Sequence, residues 1–246
     1  MKGQFMLRKI SRRALLCVGC CLMLPLPQTS MAQTARPRPG SGYFMIGWNN
    51  LQCEPLNASL QALGYPTFSQ PALGFGGGGH FVLGRVLLGG EGHALKTEEA
   101  YVPLPSGAYH ATLEAGYGMF NVGYLLATRR QFMPYVMGGI GGGDLRLKIN
   151  PSLAPKFDDV LQQPGRSAKL THGGLLLMAA LGWETWFGVH HDRADFTGVM
   201  LGVRGGYVYS PVSGAWHLDE QKLSGGPNYA FNGSFLRILL GIGVAP

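Results

Sequence analysis

The sequence predicts an all-β protein, an eight-stranded antiparallel up-and-down barrel that crosses a membrane, with a short helix in its first long loop. Glycine accounts for 39 of the 246 residues, and charged residues make up 13%, against about 25% in an ordinary soluble domain. Apolar and polar residues alternate with a period of two along eight segments, which is typical of strands with two different faces. Long and short connections alternate between those segments, as they do in membrane barrels.

The N-terminus predicts export from the cytoplasm. A basic stretch runs to Arg13, a short apolar stretch covers residues 14–26, and Ser30-Met31-Ala32 supplies the small residues of a cleavage site before Gln33. A lipoprotein signal at Cys20 or Cys21 is the alternative. The predicted organisation is a signal peptide over residues 1–32, a tether over residues 33–41 and a barrel domain over residues 42–246.

The charge balance argues against a nucleic-acid partner. The formal net charge is +7, but five of the 20 basic residues and none of the 13 acidic residues lie in the signal. The remaining chain is close to neutral and carries no basic stripe with interleaved aromatics. Cys53 is the one cysteine beyond the signal, so the sequence predicts no internal disulfide in the mature chain.

The eight predicted strands are defined by their alternation of apolar and polar residues. In strand four the apolar row changes phase near Asn121, where Val122 and Tyr124 replace Tyr117 and Met119. A change of phase of this kind predicts a β-bulge. The strands cover residues 43–49, 73–83, 85–95, 109–126, 132–149, 170–187, 197–209 and 232–244.

Two features favour a membrane barrel over a soluble barrel or sandwich, which is the alternative. The polar faces contain few charges and many glycines, which suits a narrow interior better than a hydrated surface. The apolar faces carry tyrosine and tryptophan toward the strand ends, where interfacial aromatic residues belong. These aromatics are Trp48, Tyr109, Tyr124, Trp183, Tyr207 and Tyr209.

The connections place both ends of the barrel on the periplasmic side. The long links are residues 50–72, 96–108, 150–169 and 210–231, and the short turns lie at Gly84, residues 128–131 and residues 188–196. Long loops are expected outside and short turns inside. Within the first long link, Leu56, Leu60 and Leu63 have helical spacing, and Gly64 is placed to end the helix.

Residues 42–244 resemble the small eight-stranded outer-membrane barrels of the OmpA, OmpX and OmpW types. The resemblance rests on the predicted signal, the number of strands and the alternation of long and short loops. The glycine-rich repeats at residues 138–143 and 201–207 add to the likeness. The resemblance implies a monomer in the bacterial outer membrane, with outer-membrane lipid, lipopolysaccharide and the barrel-assembly machinery as partners and no cofactor. The sequence departs from the pattern at its end, where Gly243-Val244-Ala245-Pro246 replaces a terminal aromatic residue.

The main candidate site is a polar network inside the predicted barrel. An eight-stranded barrel has room only for side chains, and buried charges need partners. We therefore expect ion pairs that close the lumen, including one between Arg204 and Glu184, Glu114 or Glu91. A gated conduit or proton path is the alternative. The network comprises Arg85, Glu91, His93, Glu114, Glu184, Arg204 and Arg237, and Asp144 and Arg146 are expected on the same inner face.

Catalytic and metal-binding patterns are weak in this sequence. His110, Thr112 and Glu114 share one face of strand four and resemble the His/Ser/Glu sets of lipid A deacylases, with threonine in place of serine. Glu91 and His93, with His80 one strand away, meet the minimum ligand set for a metal, and a His190-His191-Asp192 turn adds a further weak candidate. The interpretation favoured is nevertheless a non-enzymatic barrel without metal or cofactor, in a structural or surface-interaction role. A lipid-modifying hydrolase or a small-solute carrier is the alternative.

Overall fold

The computed structural model describes most of the chain from Pro39 onward. The described residues are 39–68, 72–97, 99–104, 107–129, 132–153, 157–162, 167–188, 198–212, 214–228 and 231–245. The predicted signal peptide with its cleavage site, most of the tether, and the turn that contains His190 and His191 lie outside the described residues.

The elements follow one another as long strands joined by alternating loops and turns. In chain order they are β1 (Gly40–Leu51), α1 (Glu54–Ala62), β2 (Ala72–Leu83), β3 (Val86–Lys96), β4 (Ala100–Leu104), β5 (Gly107–Leu125), β6 (Met133–Pro151), α2 (Phe157–Gln162), β7 (Ala168–Phe187), β8 (Gly198–Tyr209), β9 (Trp216–Leu218), β10 (Gln221–Lys222) and β11 (Gly233–Val244).

Eight of these strands close into an antiparallel barrel. Neighbours in the sequence pair around the wall from β1 through β2, β3, β5, β6 and β7 to β8. β11 then pairs with both β8 and β1, which closes the ring. The predicted fold class is therefore confirmed. β4, β9 and β10 are short strands within the long loops, and β4 and β9 add to the edges of β5 and β7.

The helix predicted in the first long loop is also present. α1 starts with Glu54 and Pro55 in its first turn, where a carboxylate and a proline both favour a helix start. Leu56 and Leu60 are buried, and Gly64, at a φ of 78°, lies just beyond the helix end. No helix among the described residues is long and apolar enough to cross a membrane.

The two ends of the barrel differ, and we call them the loop end and the turn end. Gly40 pairs with Phe81 in β2 and with Val244 in β11, so both chain ends of the barrel meet at the turn end. The turn between β2 and β3 is made by Gly84 and Arg85, and Gly84 has a φ of 64°. Glycine adopts this left-handed conformation without the steric penalty of a Cβ atom.

A belt of exposed apolar side chains surrounds the barrel from the turn end upward. Every barrel strand contributes to it, and we call this surface the apolar belt. Its members include Phe44, Ile46, Trp48, Leu73, Phe75, Phe81, Leu83, Val86, Phe120, Val122, Tyr124, Val136, Ile140, Leu175, Leu177, Leu181, Trp183, Phe187, Val199, Leu201, Val203, Tyr207, Tyr209, Leu236, Ile238, Leu240 and Ile242.

Above the apolar belt, toward the loop end, the outer face of the barrel becomes polar. Lys96, Glu114 and Arg146 lie side by side on β3, β5 and β6. Lys148 and Lys169 are directly opposite each other on β6 and β7. Leu113, Leu145 and Leu147 alternate with these polar residues and are buried on the inner face. The inner and outer faces thus exchange polarity along the same strands.

The predicted bulge near Asn121 is therefore wrong. β5 pairs with β3 and β6 without interruption on either side of Asn121, and its burial alternates regularly. Tyr117 and Met119 face inward, whereas Val122 and Tyr124 face outward. The apolar row changes face because the surroundings of the strand change with height, while the backbone keeps its period of two.

Candidate functional site

A cluster of charged side chains lies buried inside the barrel, and we call it the inner cluster. Arg204 and Arg237, only 0% and 2% exposed, flank Glu91. Arg204 Nη1 donates to Glu91 Oε2 at 2.5 Å, and Arg237 Nη1 donates to Glu91 Oε1 at 3.3 Å. His93 Nε2 lies 3.1 Å from Glu91 Oε1 and 3.1 Å from Arg237 Nη1. One carboxylate therefore holds two guanidinium groups and an imidazole.

Aromatic side chains surround the two arginines. Arg204 Nε donates to the Tyr135 hydroxyl at 2.9 Å. Arg237 Nη2 donates to the Tyr117 hydroxyl and lies 3.4 Å from Asn49 Oδ1. The Arg237 guanidinium also lies 3.6 Å from the ring centroid of Phe235, a cation–π contact that gains strength where water is excluded.

Glycines opposite the large polar residues make room for the inner cluster. Gly47 faces Arg237 across β1 and β11, and Gly78 faces Glu91 across β2 and β3. A Cβ atom at Gly47 would lie 2.9 Å from Arg237 Cγ, and one at Gly78 would lie 2.8 Å from Glu91 Cβ. These contacts are closer than real Cβ atoms approach, so the glycines of the inner face are a steric requirement of the cluster.

A second carboxylate lies nearer the turn end. Glu184 is 1% exposed, and its Oε2 lies 3.5 Å from His80 Nε2. His80 Nε2 is in turn 3.4 Å from the Ser41 hydroxyl. With Glu184 included, the described buried interior holds two carboxylates and two guanidinium groups, so its formal charge balances when the histidines are neutral.

Apolar layers enclose the inner cluster at both ends of the barrel. On the turn-end side the inward residues are Val82, Leu87, Leu125, Met133 and Met200. On the loop-end side they include Leu51, Leu95, Leu113, Ala115, Leu145, Leu147 and Leu176, and α1 adds Leu56 and Leu60. The charged groups are thus separated from water above and below, which is the setting in which an unpaired charge costs most.

Five of the predicted network residues come together in the interior: Glu91, His93, Glu184, Arg204 and Arg237. The predicted pairing of Arg204 is confirmed, and its partner is Glu91 rather than Glu184 or Glu114.

Four residues predicted to face inward lie elsewhere. Arg85 is exposed in the turn between β2 and β3, because the strand ends before it. Glu114 faces outward and binds Lys148 at 2.6 Å, and Arg146 pairs with Asp144 on the same outer surface. Glu114, Asp144 and Arg146 belong to the polar part of the wall above the apolar belt, where charges on the outer face are hydrated.

One aromatic of the predicted interfacial set is also displaced. Tyr109 lies on the inner row of β5, packed against the buried core, whereas the other five aromatics are exposed on the outer face. The reason is the same as for Glu114, since Tyr109 lies in the part of β5 where the inner face is the apolar one.

The candidate hydrolytic residues do not form a relay in the described structure. His110 Nδ1 lies 3.2 Å from Glu99 Oε1, whereas Glu114 binds Lys148. All three members are on the outer face of β5, and Thr112 lies directly opposite Lys148. A base that activates a hydroxyl must reach it by a hydrogen bond, and the contacts of His110 and Glu114 lead to other residues.

The candidate metal ligands are divided between two parts of the interior. Glu91 and His93 share their contacts with Arg237, while His80 pairs with Glu184. Within the described ranges, no group of three or more His, Cys, Asp or Glu side chains is placed to hold a metal ion.

The sequence interpretation missed the tyrosines that complete the inner cluster. The apolar alternation predicts Tyr117 on the outer apolar row and makes no prediction for Tyr135. Val122 and Val136 face outward, and every second residue of a strand lies on the same face. Tyr117 and Tyr135 are an odd number of residues away from them, which places both tyrosines on the inner face. That signal was present, but it requires the outer row to be fixed at the apolar belt first.

No family model matches this sequence, and no curated protein matches it. The solved structures to which this chain is similar at low identity include the following two. Ail, the attachment invasion locus protein of Yersinia pestis, solved with the heparin analogue sucrose octasulfate, is 11% identical, with 85% of this chain and 98% of that chain covered and a TM-score of 0.42. Neisserial surface protein A is 10% identical, with 84% and 97% covered and a TM-score of 0.40. At this similarity neither protein indicates a function for this chain.

Proposed function

We propose that this protein is a non-enzymatic outer-membrane barrel that closes its own lumen and presents its loop end as an external contact surface. The observation that carries the proposal is the apolar belt, together with the charged interior behind it. A soluble barrel places its charges outside and its apolar residues inside. Over the height of the apolar belt, this barrel has the reverse arrangement.

The extent of the apolar belt supports a lipid environment. Trp48, Leu181 and Leu240 are 51%, 66% and 58% exposed, and every barrel strand adds further large apolar side chains. Soluble monomers rarely expose a contiguous apolar surface of more than about 300–600 Å². In a bilayer such a surface is favourable, and a closed ring of paired strands satisfies its own backbone hydrogen bonds in the hydrocarbon.

The filled interior supports a closed lumen over a solute carrier. The inner cluster spans the barrel through contacts among side chains from β1, β3, β5, β6, β8 and β11. Apolar layers lie on both sides of it. A solute would have to displace the ion pairs as well as both layers, and breaking a buried pair costs about 3–5 kcal/mol.

The polar wall above the apolar belt fits the headgroup region of the outer leaflet. Lys96, Arg146, Lys148 and Lys169 point outward there, with Glu114 and Asp144 among them. Basic side chains at this height suit the phosphate groups of lipopolysaccharide. We therefore propose outer-membrane lipid and lipopolysaccharide as partners, the barrel-assembly machinery as the insertion route, and a monomer as the functional unit.

The proposal predicts an integral membrane protein that resists extraction. In cells of a Gram-negative host, the protein should sediment with outer membranes and remain there after an alkaline carbonate wash, while a periplasmic marker protein is released. Without boiling, it should migrate on a denaturing gel at a different apparent mass from the boiled sample, because closed barrels resist detergent in the cold. Release by carbonate together with a single gel position would contradict the membrane assignment and support a soluble barrel.

A further inference from the structure

The loop end contains an apolar cavity that is partly open to solvent. Its volume is about 230 Å³. Its walls come from three separate parts of the chain: α1, the rim of the barrel at Leu147 and Leu170, and the segment from Trp216 to Pro227. The cavity lies on the inner side of the wall, at the height where Lys148 and Lys169 face outward, and is therefore separate from the lipid-facing apolar belt.

The lining of the cavity is almost entirely hydrocarbon. Leu56, Leu60 and Leu63 line it from the helix side, and Leu223 lines it from the opposite side. Ser59 is one of two serines among the lining residues, and none of the described lining residues carries a charge. A charged ligand would lose its hydration here without gaining an ionic partner, so the lining selects an uncharged molecule.

The wall at Trp216 is held in a fixed position. Trp216 is buried, and its indole N–H donates to the Pro227 carbonyl oxygen at 2.8 Å. The Leu223 N–H donates to the Trp216 carbonyl oxygen at 2.8 Å. Gly226 lies so close to the indole that a Cβ atom there would be 2.5 Å from Trp216 Cδ1. The only polar atom of the indole is therefore satisfied within the wall.

We propose that this cavity binds a small uncharged apolar molecule of about one aromatic ring with a short substituent. An engineered, enclosed cavity of about 150 Å³ lined by Leu, Ile and Phe binds benzene, and this partly open cavity of about 230 Å³ has room for a ring with an additional alkyl group. The mouths of β-barrels are common positions for such sites. At the rim, Leu63 is 69% exposed, which leaves an apolar approach from the external side.

Fluorine NMR of the four tryptophans tests this proposal with internal controls. The mature chain is labelled with 5-fluorotryptophan, folded into lipid nanodiscs and titrated with toluene. Trp216 should shift in a saturable way, while the lipid-facing Trp48 and Trp183 should respond in proportion to the toluene dissolved in the bilayer. Trp186, buried near the turn end, should not move. Benzoate, which has the same ring with a charge, should give no saturable shift at Trp216.

Two substitutions at one lining position distinguish a site from partitioning. Ser59→Phe fills the cavity and should raise the toluene Kd at least tenfold, whereas Ser59→Ala should leave it unchanged. Leu63→Phe, at the exposed rim, replaces Ser59→Phe if that variant does not fold. A Trp216 response proportional to that of Trp48, a saturable shift with benzoate, or an unchanged Kd in the filled variant would each overturn the proposal.

Discussion

Replacing Glu91 by glutamine is expected to lower the free energy of unfolding by about 3–5 kcal/mol, the cost of leaving buried charges without their partner. Glu91 is the carboxylate that both Arg204 and Arg237 contact. Glutamine has nearly the same shape but no charge, so the substitution tests the charge and not the packing. The measurement is the urea-induced unfolding transition of the barrel in lipid vesicles or detergent.

Two further variants show whether the loss arises from buried charge. Glu114→Gln removes a carboxylate from the partly exposed pair with Lys148, where the expected loss is only about 0–1 kcal/mol. The double variant Glu91→Gln with Arg204→Met removes one charge of each sign from the inner cluster and should recover much of the stability. If Glu91→Gln and Glu114→Gln have equal effects, the interior is hydrated and the lumen is not closed.

Placing an arginine in the apolar belt is expected to have the second largest effect. Leu181 lies near the middle of the outward row of β7, between Leu175 and Phe187. Leu181→Arg should cost about 2–4 kcal/mol if that position is at the bilayer midplane. In a soluble barrel the same change would add a hydrated surface charge and alter stability by about 0.5 kcal/mol or less.

The matched control is an arginine at the loop end. Asn150 is exposed on the outer face of β6, beyond Lys148, so Asn150→Arg should leave the unfolding transition in place. Both variants are refolded into vesicles of the same lipid and compared by their denaturant midpoints. Equal midpoints for Leu181→Arg and Asn150→Arg would place the apolar belt in water and contradict the membrane assignment.

The number and the alternation of the barrel strands could be predicted from the sequence. The outward rows Phe44-Ile46-Trp48 and Leu236-Ile238-Leu240 keep a strict period of two, and Gly47, which faces Arg237, marks a crowded inner face. Both signals are local along the chain. Arg204 and Arg237 lie at the height of the apolar belt, where the same alternation predicts that they face inward. Both side chains are buried in the structure.

The faces were predicted wrongly where the wall leaves the apolar belt. Glu114 and Arg146 have the same polar character as interior charges, and the sequence alone does not state the height at which the apolar belt ends. A change of environment therefore resembled a change of backbone phase at Asn121. The sequence also left three possible partners for Arg204. Its partner, Glu91, is more than 100 positions away, and local alternation does not determine which distant side chains meet across the barrel.

The loop end was the least predictable part of the fold. α1 carries a regular leucine spacing and a glycine after its end, so its prediction is confirmed. The short strands β4, β9 and β10 have too few residues to display a period. The cavity beside Trp216 depends on the packing of one of these short segments against α1 and the barrel rim, and no motif in the sequence indicates it.

The most direct test of the inside-out arrangement is to measure which leucine methyl groups touch lipid. In nanodiscs with methyl-labelled leucine, Leu181, Leu201 and Leu240, which face outward, should show nuclear Overhauser contacts with the lipid acyl chains. Leu87, Leu125 and Leu239, each at most 1% exposed, should show none. Acyl-chain contacts at the second set but not at the first would contradict the assignment of the two barrel faces.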